Sequence, residues 1–148
     1  MSGPGSGIEI SDECISEYKS FQQSADSGKR CIIYKITDDN KQIVIEKKVD
    51  KGPGKDDAED FDEIVSCLED KEPRYLVFDL KGPGKGGAAA NNRVIVLTWI
   101  SDSAPVKKRM LYSASFNSLK AKLPGVYKFI TVNDKGELTY QRIMSELS

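Results

Sequence analysis

Histidine does not occur in this chain of 148 residues. Its absence removes Ser-His-Asp and Cys-His catalysis, HExxH zinc binding and imidazole-based pH switching together. Cysteine is scarce: Cys14, Cys31 and Cys67 are odd in number, widely spaced and form no CxxC pair. That pattern fits a reducing compartment and three small buried or half-buried apolar residues, not a disulfide framework. Long apolar runs are missing as well. Stretches such as 94–97 fall far below the roughly 18 residues that a membrane-crossing helix needs, and no charged-then-apolar leader opens the chain. A soluble, unsecreted protein is expected. Nor is there an excess of charge: Lys+Arg 22 stands against Asp+Glu 23, a net charge of −1. No bulk field therefore draws the chain to nucleic acid, and any charge-driven partner must be met by a local patch. With no nucleophile–base pair and no metal constellation in the sequence, an enzyme is disfavoured and neither a metal nor a cofactor is expected.

What is present reads as one α/β domain over 1–148, a length that buries about two thirds of the unfolded surface without disulfides. Residues 1–10 (MSGPGSGIEI) are rich in Gly and Ser, and a flexible N-terminal arm is expected. Ser11 caps a predicted helix to about Ser24, with Asp12 and Glu13 at the positive end of its dipole and Cys14, Tyr18 and Phe21 at helical spacing. The β-rich runs 31–36 and 42–49 flank the polar turn 38–41 and predict a hairpin. Helical spacing returns over 56–70, with Phe61, Ile64, Val65 and Leu68 on one stripe and acids around it. Residues 75–78 and 93–100 are apolar on both alternating faces, which predicts central strands covered on both sides and hence three layers. A long helix over 105–123, stopped by Pro124 and Gly125, a short strand over 127–132 and a final helix over 138–147 complete the pattern.

The pentapeptide KGPGK occurs at 51–55 and again at 81–85. Both copies read as connecting loops; the GxxxxGK spacing of a phosphate-binding loop is absent.

The long helix carries the chemistry. A helical wheel places Tyr112, Phe116, Leu119 and Leu123 on one stripe, the core face. The opposite side presents Met110, Ala114 and Ala121 beside Lys107, Leu111 and Ser118, a surface small and apolar enough for another protein to approach. Lys107, Lys108, Arg109, Lys120 and Lys122 give the helix five cations and no anion, which implies an acidic partner surface. The cations at 107–109 oppose the helix dipole at a cost of a few tenths of a kcal/mol, so they serve something other than stability.

At these residues the sequence becomes recognisable. WISDSAPVKKRMLYSAS at 99–115 closely resembles WxPDxAPVKxKMxYxSS, the signature of the actin-depolymerising factor (ADF)/cofilin family. The resemblance extends through Ser6-Gly7-Ile8, Asp12-Glu13-Cys14, 31–36, Arg74-Tyr75, Phe78-Asp79 and Gly125-Val126. It implies the ADF-homology fold: a mixed, mainly antiparallel sheet of five to six strands between helices on both faces. It also implies a monomeric cytoplasmic, cytoskeletal protein that binds monomeric and filamentous actin and promotes depolymerisation and severing. By motif position, Ser6, Gly7, Ile8, Lys107, Arg109, Met110, Leu111, Ala114 and Lys120 match the surface shared by monomer and filament binding. Ser6 matches the serine whose phosphorylation switches off many members. Phosphoinositides are an implied regulatory partner, since the same cations suit anionic headgroups.

Departures from the family fall on the second, filament-specific surface. Asn91 and Arg93 stand where two basic residues are usual, and the last helix offers only Arg142 and Glu146 before the chain ends. A monomer-biased binder with weak severing is therefore the alternative expectation. Ser101 replaces the signature's proline, and Ala114 one serine of its final pair.

Overall fold

A computed structural model describes residues 8–23, 28–54, 56–80 and 94–147. Strand β1 (Glu9–Ile10) leads into helix α1 (Asp12–Gln23), then β2 (Lys29–Ile36), β3 (Gln42–Asp50), α2 (Asp57–Val65), β4 (Arg74–Asp79), β5 (Val94–Trp99), α3 (Val106–Lys122), β6 (Lys128–Val132) and α4 (Tyr140–Leu147). The six strands form one sheet in the order β1-β3-β2-β4-β5-β6. Pairs β3/β2, β2/β4 and β4/β5 are antiparallel, whereas β1/β3 and β5/β6 are parallel. The mixed, mainly antiparallel sheet is as expected. Because β5 and β6 are parallel, the chain must cross over between them, and α3 is that crossover.

Alternation along the strands builds two cores. Cys31, Ile33, Leu76, Phe78, Ile95, Leu97 and Trp99 face α2 and α4, meeting Phe61, Ile64 and Ile143. Ile32, Tyr34, Tyr75, Val77 and Val96 face α1 and α3, meeting Tyr18, Phe21, Tyr112 and Leu119. Helices on both faces explain why β4 and β5 carry apolar residues on both of their faces, at 75–78 and 94–97.

Local chemistry sets the element ends. The hairpin turn between β2 and β3 places Asn40 at φ 61, a left-handed conformation that a short polar side chain tolerates. Asp56 and Glu59 form a reciprocal capping box at the start of α2, satisfying two orphan amides. This helix stops at Val65, short of the expected 70. The turn that follows buries Leu68 and carries Cys67 outward, so Cys67 is an exposed thiol and not the buried or half-buried residue expected, while Cys14 and Cys31 are buried.

Two further corrections concern the N-terminal arm and Asp60. The arm is docked from Ile8 onward: Ile8 is 6% exposed, and Glu9 and Ile10 pair with Gln42 and Ile43. A two-residue ladder and one buried isoleucine suffice to hold that end of the arm. Asp60 is not one of the solvated acids of α2. It is 4% exposed and receives Arg30 Nε at 2.9 Å, while the Gly52 amide donates to both its carboxylate oxygens at 3.3 and 3.2 Å. The described part of the first KGPGK loop thus has a structural task, since Lys51 also meets the Asp79 carboxylate at 3.1 Å. The second copy lies outside the described residues.

Gly125 ends the α3 segment at φ 84. Just before it, the Pro124 carbonyl accepts hydrogen bonds from Tyr18 Oη at 2.6 Å and Gln22 Nε2 at 3.0 Å, tying the turn to α1. A Gly125→Ala substitution is expected to cost about 1–2 kcal/mol through the left-handed backbone alone, read as a lower urea midpoint with unchanged slope.

Candidate functional site: the exposed face of α3

Pro105 is the N-cap of α3, one residue earlier in the helix frame than first-turn placement predicts, and its carbonyl accepts the Arg109 amide at 3.0 Å. Upstream, Ser101 is buried and its hydroxyl accepts the Ser103 amide at 3.0 Å, while its carbonyl accepts the Ala104 amide at 3.0 Å. The serine that replaces the signature's proline therefore makes its own turn contacts.

Two buried tyrosines seat the helix on the sheet. Tyr75 Oη donates to the Tyr112 carbonyl, and Tyr112 Oη accepts the Ile36 amide at 2.9 Å. Burial pushes both phenols above their ordinary range, so they stay neutral and keep these bonds at any physiological pH. Ser115 is fully buried on the same side and donates to the Leu111 carbonyl at 2.8 Å. Its place in the core is invisible to a hydrophobic wheel. Phe116, expected fully in the core, is half-buried and stands edge-on to Phe129 with centroids 5.5 Å apart.

The outer face divides into distinct environments. Val106 and Met110, one turn apart, are 58% and 65% exposed, the most open large apolar side chains on the helix. Val106 was not singled out by the sequence; its signal was the i, i+4 spacing to Met110. Lys107 and Ala114 are exposed beside them, whereas Leu111 is half-buried and packs against the core. Arg109 is half-buried and its Nε donates to the Ala104 carbonyl at 3.1 Å, which fixes the guanidinium at the helix start. Lys108 is engaged by Glu72 at 2.9 Å, and Lys120 lies 5.3 Å over the Phe129 ring. Of the five cations, Lys107 and Lys122 have no hydrogen-bond, ion-pair or aromatic-ring partner among the described residues.

Glu72 belongs to a chain of charges, Lys108–Glu72–Arg74–Glu46, with Arg74 Nε 2.8 Å from Glu46. Hydrogen bonds from Lys108 and Arg74 hold the Glu72 and Glu46 carboxyls below the usual carboxylate range. Their contribution to stability is therefore complete above the unfolded-chain pKa and lost as pH falls through the lower folded values. With no histidine, stability should stay nearly level between about pH 6 and 8 and fall only in the acid range, which thermal unfolding across pH will register.

The other expected positions are dispersed. Arg142 and Glu146 are exposed on α4, where Arg142 Nη2 lies 3.5 Å from Glu137 and the Glu146 carbonyl accepts Lys128 Nζ at 2.6 Å. Ser6, Gly7, Asn91 and Arg93 lie outside the described residues. Ile8 is buried, because it packs against the α1/α3-side core, and offers little surface.

A sequence profile described as "cofilin/tropomyosin-type actin-binding protein" matches residues 7–148. This chain belongs to the ADF/cofilin family. Among curated relatives, cofilin of Schizosaccharomyces pombe is 28% identical over 144 residues, covering 97% of this chain and 96% of that protein. Cofilin-1A of Dictyostelium discoideum is 30% identical over 133 residues, covering 90% of each. The crystal structure of Plasmodium berghei actin depolymerization factor 2 superposes with a TM-score of 0.82 at 27% identity, covering 96% of this chain and 97% of that one. As an ADF/cofilin protein the chain belongs to a family of actin-binding proteins, not enzymes, and the six-stranded sheet with four α-helices of the described residues is the family fold. No helix among the described residues is long and apolar enough to cross a membrane.

Proposed function

We propose that this ADF/cofilin protein binds monomeric and filamentous actin through α3 and the N-terminal arm, and accelerates filament depolymerisation, severing and turnover in the cytoplasm. The observation that carries the reading is the strip Val106–Lys107–Met110. An apolar pair stands in solvent with a cation beside it, on a helix that Tyr75 and Tyr112 anchor to the sheet. An adaptable methionine and a desolvatable cation on a rigid support suit an acidic, partly apolar cleft. Arg109, Ala114 and Lys120 extend the surface, with Leu111 seating the helix behind it and Ser6 and Gly7 contributing from the arm that Ile8 anchors. Remodelling needs no covalent step: a filament geometry that the protein binds more tightly is populated at the expense of the others.

Ser6 is the proposed switch. A dianionic phosphate near the cations of α3 opposes an acidic partner or satisfies those cations internally. Co-sedimentation with actin should show a clear loss of binding for Ser6→Glu. Binding equal to that of the unmodified protein would remove Ser6 from the mechanism.

A monomer-biased variant of this function is favoured by α4, where Arg142 faces Glu137. Imaging single filaments at substoichiometric protein decides between the two: frequent severing supports Arg142, Glu146, Asn91 and Arg93 as a working filament surface, and its near absence supports the monomer-biased form. Phosphoinositide vesicles, if they regulate the protein through α3, should compete with actin for it.

A further inference from the structure

Between α3 and the β2–β3 hairpin lies a cleft of about 110 Å³, well below the size of a small-molecule site. It reaches the exposed strip of α3 through Leu111, the neighbour of Met110, and Lys35 of β2 and Asp38 of the hairpin turn line its other side. Lys108, Glu72 and Arg74 line it together, but they are not equally committed to one another. The Arg74 side chain is 15% exposed and Glu46 holds it twice, accepting Nε at 2.8 Å and Nη2 at 3.1 Å, whereas Glu72 stands 3.7 Å from it. Lys108 Nζ donates to Glu72 at 2.9 Å, with the two side chains 45% and 39% exposed. Glu72 therefore serves Lys108 above all, in a pair so open to water that it adds little to stability. Of the three cations that begin α3, Lys107 is open and Arg109 is tied to the Ala104 carbonyl. Lys108 is the one that a carboxylate from another segment neutralises.

We propose that Glu72 is an attenuating residue of the α3 surface: it keeps Lys108 folded over the cleft and so withholds one cation from an acidic partner. The role rests on the reading of α3 as the actin-binding helix. A lysine ammonium rides on a flexible four-carbon stem, so Lys108 released from Glu72 can swing to a partner carboxylate at the mouth of the cleft. Charges at the rim of an interface act on the association rate and its salt dependence, and both are set lower while Glu72 holds the lysine.

The test titrates labelled monomeric actin at low salt with the unmodified protein, Glu72→Gln, Lys108→Ala and the double variant. Glu72→Gln should tighten binding about threefold to fivefold and steepen its salt dependence, with the gain fading as salt screens the rim. Its urea midpoint should barely move. In the Lys108→Ala background the same change should bring only the small gain of neutralising any nearby acid, an amount that Asp38→Asn, at an exposed acid of the same cleft, measures. A Glu72→Gln gain no larger than that of Asp38→Asn, or one that persists in full without Lys108, reduces Glu72 to a bystander charge and overturns the proposal. Weaker binding by Glu72→Gln overturns it too, since Glu72 would then support the surface. Lys107→Ala, run alongside, separates the two readings. If it weakens binding while Glu72→Gln fails to tighten it, the attenuating role falls alone; if neither variant changes the affinity, the role falls together with α3 as the binding helix.

Discussion

Asp60→Ala should lower the unfolding free energy by about 3–5 kcal/mol, because it leaves the Arg30 guanidinium charged and unpaired in the interior. Arg30 and Asp60 are 5% and 4% exposed, and the pair is 2.9 Å apart. Removing the carboxylate also strips the Gly52 amide of its acceptor, while among the described residues Arg30 retains only the Asp79 carbonyl, at 2.8 Å. For a domain of this size the loss corresponds to a fall in thermal midpoint of roughly 10–20 °C. Since total stabilities of about 5–15 kcal/mol are usual, the variant will stand near the edge of folding. Replacing both partners, Arg30→Met with Asp60→Leu, should cost much less than the single change, because no charge is then stranded. Urea unfolding of the three proteins checks this; if the double variant is as unstable as Asp60→Ala, the interior of this region depends on the pair's hydrogen bonds and not on charge compensation.

Lys107→Ala combined with Arg109→Ala is expected to weaken binding to monomeric actin by about 2–3 kcal/mol, roughly 30- to 150-fold. Lys107 extends into solvent with no partner of its own among the described residues, so its loss should be felt only in the complex. Arg109 also donates to the Ala104 carbonyl at the start of α3, so its removal can loosen the helix N-terminus. The single Lys107→Ala protein separates the two effects: it should lose affinity with its urea midpoint unchanged. Met110→Ala should act in the same sense, by removing the most exposed large apolar side chain of the helix. An unchanged monomer affinity in the double variant, measured by titration of labelled actin, would displace the proposed surface from α3.

These two expectations come from opposite ends of what could be read in the sequence. The cationic face of α3 was legible because it rests on helical periodicity and on a local signature at 99–115. Val106 was nonetheless passed over, and Leu111 counted as outer surface although it packs against the core. A wheel drawn for one helix shows directions but not the distance to the next element. The Arg30–Asp60 pair was not legible at all. Asp60 sits among acids at 56–63, and only the approach of β2, 30 residues earlier, singles it out. Cys67, expected buried or half-buried, is turned outward by an early helix end, and Ser115, a polar residue that no apolar stripe includes, is buried because its hydroxyl satisfies its own helix backbone. Ile8 belongs with them: a Gly/Ser-rich arm predicts freedom, yet one buried side chain and two ladder positions dock its end.

By itself the sequence determined the order and type of the elements from α1 onward, the two-sided burial of β4 and β5, the absence of histidine chemistry and the basic face of α3. Each depends on neighbours within one or two turns, or on composition, and needs no knowledge of where the chain goes next. Only the tertiary structure decided which charges are spoken for. Arg109, Lys108 and Asp60 acquire partners from other segments or loops, and Lys107 acquires none among the described residues. Ion pairing and concavity are properties of distances between elements, and a linear pattern does not carry those distances.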